Sequence, residues 1–205
     1  MPGGVTEIRA AGFGGQGVIL SALVMGKAYA VFEGGFATLT QSFGPEARGG
    51  ACSAQVIISS GPVLYPYVTA PDILLVMSQE AFAKFVPSLK PGGILVIEED
   101  LVRVSRLKPG TRLFSCPATR IAEKLGKSMV LNIVMVGFLA AVSQVLKPES
   151  LRQAIAASVP EHFKELNLKA FAEGYEAGRT RLEAAPHGEP WEGLQIDEAG
   201  VLEGV

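Results

Sequence analysis

Residues 12 to 17 read Gly12-Phe-Gly-Gly-Gln-Gly17, set between a short apolar run, Ile8 to Ala11, and a long apolar-periodic stretch from Val18. That order is strand, glycine-rich turn, helix, in which backbone N–H groups are bared to hold a phosphate. Without Cβ atoms the chain turns tightly and an anion can approach closely. The dipole of the next helix supplies roughly half a positive charge with no lysine. Gly12, Gly14 and Gly17 also satisfy G-x-G-x-x-G, a pattern whose ligand is decided by the residues further along the chain.

A nicotinamide or flavin nucleotide site places an acid at the end of the second strand, on the ribose hydroxyls. Here the helix runs from Val18 to Phe32, Gly34-Gly35 stops it, and the next strand is Phe36 to Gln41. Glu33 precedes that strand and stands at its wrong end. After the strand comes Ser42-Phe-Gly-Pro-Glu-Ala-Arg-Gly-Gly50, a loop with a cation, Arg48, and two adjacent glycines, Gly49 and Gly50. A cation suits a phosphorylated ribose better than a free one. NAD is disfavoured; a phosphate-rich nucleotide stays open.

Catalytic groups are not evident. The two histidines, His162 and His187, lie far from the glycine loop in sequence and read as solvated surface residues. No C-x-x-C, Walker A lysine or His-rich cluster occurs. Cys52 and Cys116 are too few for zinc or an iron–sulfur cluster and read as buried free thiols. The triplet Glu98-Glu99-Asp100 ends a strand and reads as a solvated loop of acids. At 205 residues, 48% hydrophobic and net charge −2, the chain can bury one core and offers no basic stripe for nucleic acid. No signal peptide is read at the N-terminus, so a cytoplasmic location is expected. The apolar stretch Ser128 to Leu146 carries Asn132, Ser143 and Gln144. It fits a buried helix or a subunit interface better than a membrane span.

The elements that must position the loops alternate along the chain. Ala51 to Ser59 reads as a β-branched strand and Leu64-Tyr-Pro-Tyr67 as a linker. Ile73 to Met77 reads as a strand buried on both faces, and Ser78 caps a helix from Gln79 to Leu89. Strands at Ile94 to Ile97 and Thr111 to Ser115 come next, then a helix from Ala118 to Leu125. The expected fold is α/β, a doubly wound, mostly parallel Rossmann-like sheet with a helical C-terminal part. Beyond residue 128 the strands are expected to stop, leaving helices at Ser128 to Leu146, Pro148 to Val159 and Phe163 to Ala184. Residues 1–185 form a single domain in this reading. Residues 186–205, holding the lone Trp191, form a tail that docks on a partner or stays loose.

In combination these segments resemble the gamma subunit of the 2-oxoacid:ferredoxin oxidoreductases. Four stretches match in order: Gly12 to Val18; Ser42 to Gly50; Pro71-Asp72 leading to Met77-Ser-Gln-Glu-Ala-Phe82; and Leu89-Lys-Pro-Gly-Gly93. Asn132 and Gly137 also fit, and Leu64-Tyr-Pro66 with Met77 to Glu80 looks most like the 2-oxoglutarate-type enzymes, with the branched-chain 2-oxoacid enzymes nearly the same here. The resemblance implies a complex that oxidatively decarboxylates a 2-oxoacid with coenzyme A, giving acyl-CoA, CO2 and reduced ferredoxin. It implies alpha and beta thiamine-binding partner subunits, a ferredoxin-like subunit, and ferredoxin as acceptor. Thiamine diphosphate, magnesium and the iron–sulfur clusters would sit on those partners. Coenzyme A, with its pyrophosphate and 3′-phosphate, would bind here. The cofactor-binding positions of the first loop would be Gly12, Gly14, Gly15, Gln16 and Gly17, with the Gly14, Gly15 and Gly17 amides holding the pyrophosphate and Gln16 adding a side-chain donor. Ser42, Arg48, Gly49 and Gly50 would form the second loop, Arg48 pairing with the 3′-phosphate or with an acid across a subunit boundary. Two other readings stay open: a stand-alone oxidoreductase using NADP or a flavin, and a binding module with no enzyme around it.

Overall fold

The computed structural model describes residues 4–42, 50–189, 194–196 and 202–203. Strand β1 (Val5–Phe13) passes through the glycine turn into helix α1 (Val18–Lys27), which widens into one π-helical turn at Ala28–Phe32. Gly34, at φ 75°, reverses the chain into β2 (Phe36–Ser42), and β3 is Ala51–Ser59. Strand β4 (Ile73–Val76) leads to α2 (Gln79–Phe85), whose N-cap Ser78 accepts the Ala81 N–H at 3.3 Å. A short 3-10 turn, Val86–Ser88, closes that helix. Then come β5 (Ile94–Glu98), β6 (Arg106–Leu107), β7 (Arg112–Cys116) and α3 (Ala118–Lys124). Helices α4 (Leu131–Ser143), α5 (Pro148–Ala156) and α6 (Glu161–Ala184) come after it, and then β8 (Leu194–Ile196) and β9 (Leu202–Glu203).

Six strands form the main sheet in the order β2-β3-β1-β4-β5-β7. The pairs β1·β4, β4·β5 and β5·β7 are parallel, as continuous apolar runs under crossover helices require. Strand β3 runs antiparallel between β1 and β2, placing Ala51 opposite Phe13 and Ser42 opposite Ser53. The first crossover, β1–α1–β2, therefore skips one strand position. The ribose-acid expectation, applied to the end of β2, tests a strand that does not adjoin β1. Its position is held by the start of β3.

Helices cover both faces. One core joins β1, β3 and β4 to α1, α4, α5 and α6, with Ile8, Met25, Leu75, Phe138 and Phe171 at its centre. A smaller core beneath α2 joins Leu74, Val76, Phe82, Leu89 and Leu95. Helix α4 is buried from Asn132 to Val142 and crosses α6 at glycines. A methyl on Gly174 would collide with the Val134 backbone, and one on Gly137 with the Phe171 carbonyl. The apolar helix is thus covered by its own chain rather than needing a subunit interface. No helix among the described residues is long and apolar enough to cross a membrane.

Two expectations are corrected at the C-terminal end. Strands do not stop at residue 128: β8 pairs parallel with β6 and antiparallel with β9 in a second, three-stranded sheet. The segment after α6 also docks on its own chain. The Glu189 N–H donates to the Leu113 carbonyl at 2.7 Å, and its carboxylate accepts from Ser115 N and Oγ at 2.8 and 2.7 Å. That contact lies along β7, the last strand of the main sheet. Trp191 lies outside the described residues.

Candidate functional site

At the carboxyl edge of β1 the chain makes a tight turn, in which the Gln16 N–H donates to the Phe13 carbonyl at 3.2 Å. Gly14 and Gly15 are exposed, and nothing stands within 4 Å of where a Cβ on either would lie. Gly17 is the N-cap of α1 in the left-handed conformation, φ 72°, and no side chain caps the helix. Its carbonyl opens the helix by accepting the Ser21 N–H at 3.0 Å. No acid occupies the first turn of α1. The result is an open, uncapped helix N-terminus with bare backbone donors, the geometry that attracts an anion.

Two of the loop's expected ligand residues do other work. Gly12 is buried within β1, and a Cβ there would stand 2.6 Å from the Gln16 Oε1. Its missing side chain makes room for the Gln16 amide. That amide is engaged internally: Oε1 accepts the Phe13 N–H at 2.7 Å, and Nε2 donates to the Met77 carbonyl at 2.9 Å. Gln16 ties the turn to the end of β4 and is not presented as a free ligand donor.

Below the turn, Asn132 at the start of α4 is buried, 2% exposed, and its Nδ2 donates to the Gly17 carbonyl at 3.2 Å. A methyl on Gly17 would strike that amide. Asn132 is polar within an otherwise apolar helical run, which is the sequence signal for a support of this kind. Neither this contact nor the Met77 carbonyl was legible as a partner of the loop.

The second glycine segment returns to the same edge. Gly50 is half-buried and precedes Ala51, the residue paired with Phe13, so Gly50 lies beside the first loop. Ser42 is exposed at the end of β2, two strand spacings from β1, about 10 Å. Arg48 and Gly49 lie outside the described residues.

The remaining polar groups are structural. Glu98 is fully buried, correcting the expectation of a solvated acid. Its Oε2 accepts the N–H groups of Asp100 and Leu101 at 2.8 and 2.6 Å, and its Oε1 that of Thr119 at 2.9 Å. Asp100 pairs with Arg120 at 2.9 Å, and Glu99 with Arg120 and Arg181 at 2.6 and 3.2 Å. Both cysteines are free: Cys52 is half-buried opposite Gly12, and Cys116 is buried. Burial pushes the Cys52 thiol up, partly offset by a backbone hydrogen bond. Burial first, then the Glu98 and Glu99 charges, hold the Cys116 thiol well above its ordinary range, against the opposing charge of Arg181. His162 and His187 are exposed. Among the described residues, no group of three or more His, Cys, Asp or Glu side chains is placed to hold a metal ion.

Known proteins share this architecture and sequence. The pattern of the family "Pyruvate ferredoxin/flavodoxin oxidoreductase" matches residues 7–177. The 2-oxoglutarate synthase subunit KorC of Methanocaldococcus jannaschii is 43% identical over 175 residues, 84% of this chain and 94% of that protein. Ketoisovalerate oxidoreductase subunit VorA of Methanothermobacter thermautotrophicus is 34% identical, over 86% of this chain and 37% of its own length. Among solved structures, the keto/oxoacid ferredoxin oxidoreductase gamma subunit from Geobacter sulfurreducens superposes with TM-score 0.76 at 38% identity, covering 85% of this chain and 99% of that one. A 2-oxoglutarate:ferredoxin oxidoreductase from Magnetococcus marinus, holding 2-oxoglutarate, coenzyme A and succinyl-CoA, shares the fold at TM-score 0.74 and 22% identity, over 92% of this chain and 33% of that one. With its glycine turn and central helix inside the matched span of residues 7–177, the chain belongs to the pyruvate ferredoxin/flavodoxin oxidoreductase family.

Proposed function

We propose that this chain is the gamma-type subunit of a cytoplasmic 2-oxoacid:ferredoxin oxidoreductase, acting on 2-oxoglutarate, and that it holds coenzyme A. The open, uncapped N-terminus of α1 at Gly14–Gly17, beside Gly50 on the same sheet edge, carries the reading. The chemistry fits: coenzyme A presents a pyrophosphate, and the turn presents bare amides with no acid in the first helical turn. The amides of Gly14, Gly15 and Gly17 receive the pyrophosphate. Gln16 and Gly12 shape the turn rather than touch the ligand. Ser42, Arg48, Gly49 and Gly50 form the second wall, with Arg48 on the 3′-phosphate or on an acid of a neighbouring subunit.

The substrate assignment is supported by the 43–44% identity to 2-oxoglutarate synthase subunits from two methanogen genera. In this reading thiamine diphosphate, magnesium and the iron–sulfur clusters belong to partner subunits, alpha and beta and a ferredoxin-like chain, and ferredoxin takes the electrons. This chain's part is to bind and aim the acyl acceptor. An Arg48→Ala complex tests the second wall: the KM for coenzyme A is expected to rise. Unchanged KM and normal assembly together would remove Arg48 from the site.

A further inference from the structure

From Asn132 to Val142 every residue of α4 is buried, and all but Asn132 are apolar or glycine. An amide in such surroundings costs stability unless it is hydrogen-bonded. Its Nδ2 reaches across 115 positions of chain to donate to the Gly17 carbonyl at 3.2 Å. That carbonyl has other partners. The Ser21 N–H donates to the same oxygen at 3.0 Å, as the first bond of α1, and the Ser21 Oγ donates at 3.2 Å. One donor satisfies a buried acceptor, so the bond from Asn132 is not needed to satisfy this one. What it adds is direction: donors from two helices fix where a single oxygen points.

The consequence falls on the other side of the same peptide unit. A peptide is planar and trans, so the Val18 N–H points opposite to the Gly17 carbonyl. The carbonyl is drawn inward, toward the buried Ser21 and Asn132. The Val18 N–H is thereby turned outward, along the axis of α1 and past its N-terminus. Val18 is the first residue of α1, and its N–H has no acceptor within the helix. Its side chain is buried, 2% exposed, so what it offers the turn is its backbone. Gly17 alone would not hold this direction, because glycine leaves both flanking peptides free to rotate. Its missing Cβ makes room for the Asn132 amide, and the amide supplies the constraint that glycine lacks.

We infer that Asn132 is a positioning residue for coenzyme A: by holding the Gly17 carbonyl inward it aims the Val18 N–H at the pyrophosphate, making Val18 a further donor of the turn. The inference rests on the proposed coenzyme A site at Gly14–Gly17 and uses no part of the second loop. A donor already fixed in direction loses little freedom when the ligand arrives, and the affinity gained is of that origin.

The test is Asn132→Leu in the assembled complex, with the KM for coenzyme A and for the 2-oxoacid measured separately. Leucine has nearly the same size, suits the apolar surroundings and leaves the Gly17 carbonyl its Ser21 donors. The KM for coenzyme A is expected to rise roughly 3- to 10-fold, the scale of one hydrogen bond. The KM for the 2-oxoacid is expected to stay at the wild-type value, which a general loosening of the structure would not allow. An unchanged coenzyme A KM, or equal rises for both substrates, would overturn the inference.

Should Asn132→Leu fail to assemble, hydrogen exchange at the Val18 amide of the wild-type complex decides instead. Coenzyme A is expected to slow it; an unchanged rate at Val18 would overturn the inference. A Gly14→Asp complex separates this outcome from failure of the site itself. If Gly14→Asp weakens coenzyme A binding and Asn132→Leu does not, the site stands and Asn132 has no part in it. If neither does, coenzyme A is not held at this turn.

Discussion

Gly14 is the position at which the proposed phosphate site can be broken without touching the fold. A Cβ there meets nothing within 4 Å, and its backbone does not occupy the positive-φ region that Gly15 and Gly17 adopt. Gly14→Ala is therefore expected to change stability by no more than about 0.5 kcal/mol. Gly14→Asp adds a carboxylate beside the bare amides, where it repels a bound pyrophosphate and competes for the same N–H groups. Two unit charges 4 Å apart interact by about 1 kcal/mol in water and about 4 kcal/mol at a partly shielded surface. The turn is exposed, so the repulsion lies near the lower end, about 1–2 kcal/mol. That corresponds to a rise of roughly 5- to 30-fold in the KM for coenzyme A. The assay is coenzyme A-dependent reduction of a viologen dye by the assembled complex. Gly14→Ala serves as the control for shape. A Gly14→Asp complex with unchanged KM would refute the assignment of the pyrophosphate to this turn.

Other perturbations probe the support beneath the site. Gly17→Ala combines a left-handed backbone, φ 72°, with a collision against Asn132. Its folding free energy is expected to drop by more than the roughly 1–2 kcal/mol that the backbone term alone costs, read by chemical denaturation. Gly174→Ala drives a methyl into the backbone of Val134. Overpacking of that kind costs about 1–3 kcal/mol, expected to appear as a lowered Tm although alanine is the better helix former. Glu98→Gln turns an amide donor toward one of the N–H groups of Asp100, Leu101 or Thr119, and a loss of about 1.5–3 kcal/mol is expected. The Cys116 thiol is raised in the folded protein, so it stays protonated where an unfolded cysteine ionises. Its effect is absent below the unfolded value and becomes destabilising as pH rises above about 8.5. Denaturation at pH 7 and pH 10 is expected to show a larger alkaline loss in wild type than in Cys116→Ala. Equal losses would contradict the sign.

Much of this fold is legible in the chain because its signals are local. The turn Gly12 to Gly17, the strand Ala51–Ser59 and the cap at Ser78 each arise from neighbours in sequence. The direction of β3 is not local. Its apolar pattern is the same whether it runs parallel or antiparallel, and only the pairing of Ala51 with Phe13 reveals that it separates β2 from β1. Glu98 reads as a surface acid because the three backbone donors that bury it come from residues 100, 101 and 119. The polar-looking run Glu173-Gly-Tyr-Glu-Ala-Gly178 hides a close helix crossing in the molecule's centre, since glycine records no hydropathy where backbones meet. The site shows the same division. Glycines that bare amides are visible in sequence, whereas Gln16 and Asn132 act through partners 61 and 115 positions away.

The most direct test of the central claim is to tag this chain at one end and recover it gently, without oxygen, from its native cells. The eluate is assayed for coenzyme A-dependent viologen reduction with several 2-oxoacids, after confirming that the tag leaves assembly intact. Co-purifying subunits, brown iron–sulfur colour and activity with 2-oxoglutarate are the expected result. A colourless, solitary and inactive protein would contradict the assignment as an oxidoreductase subunit.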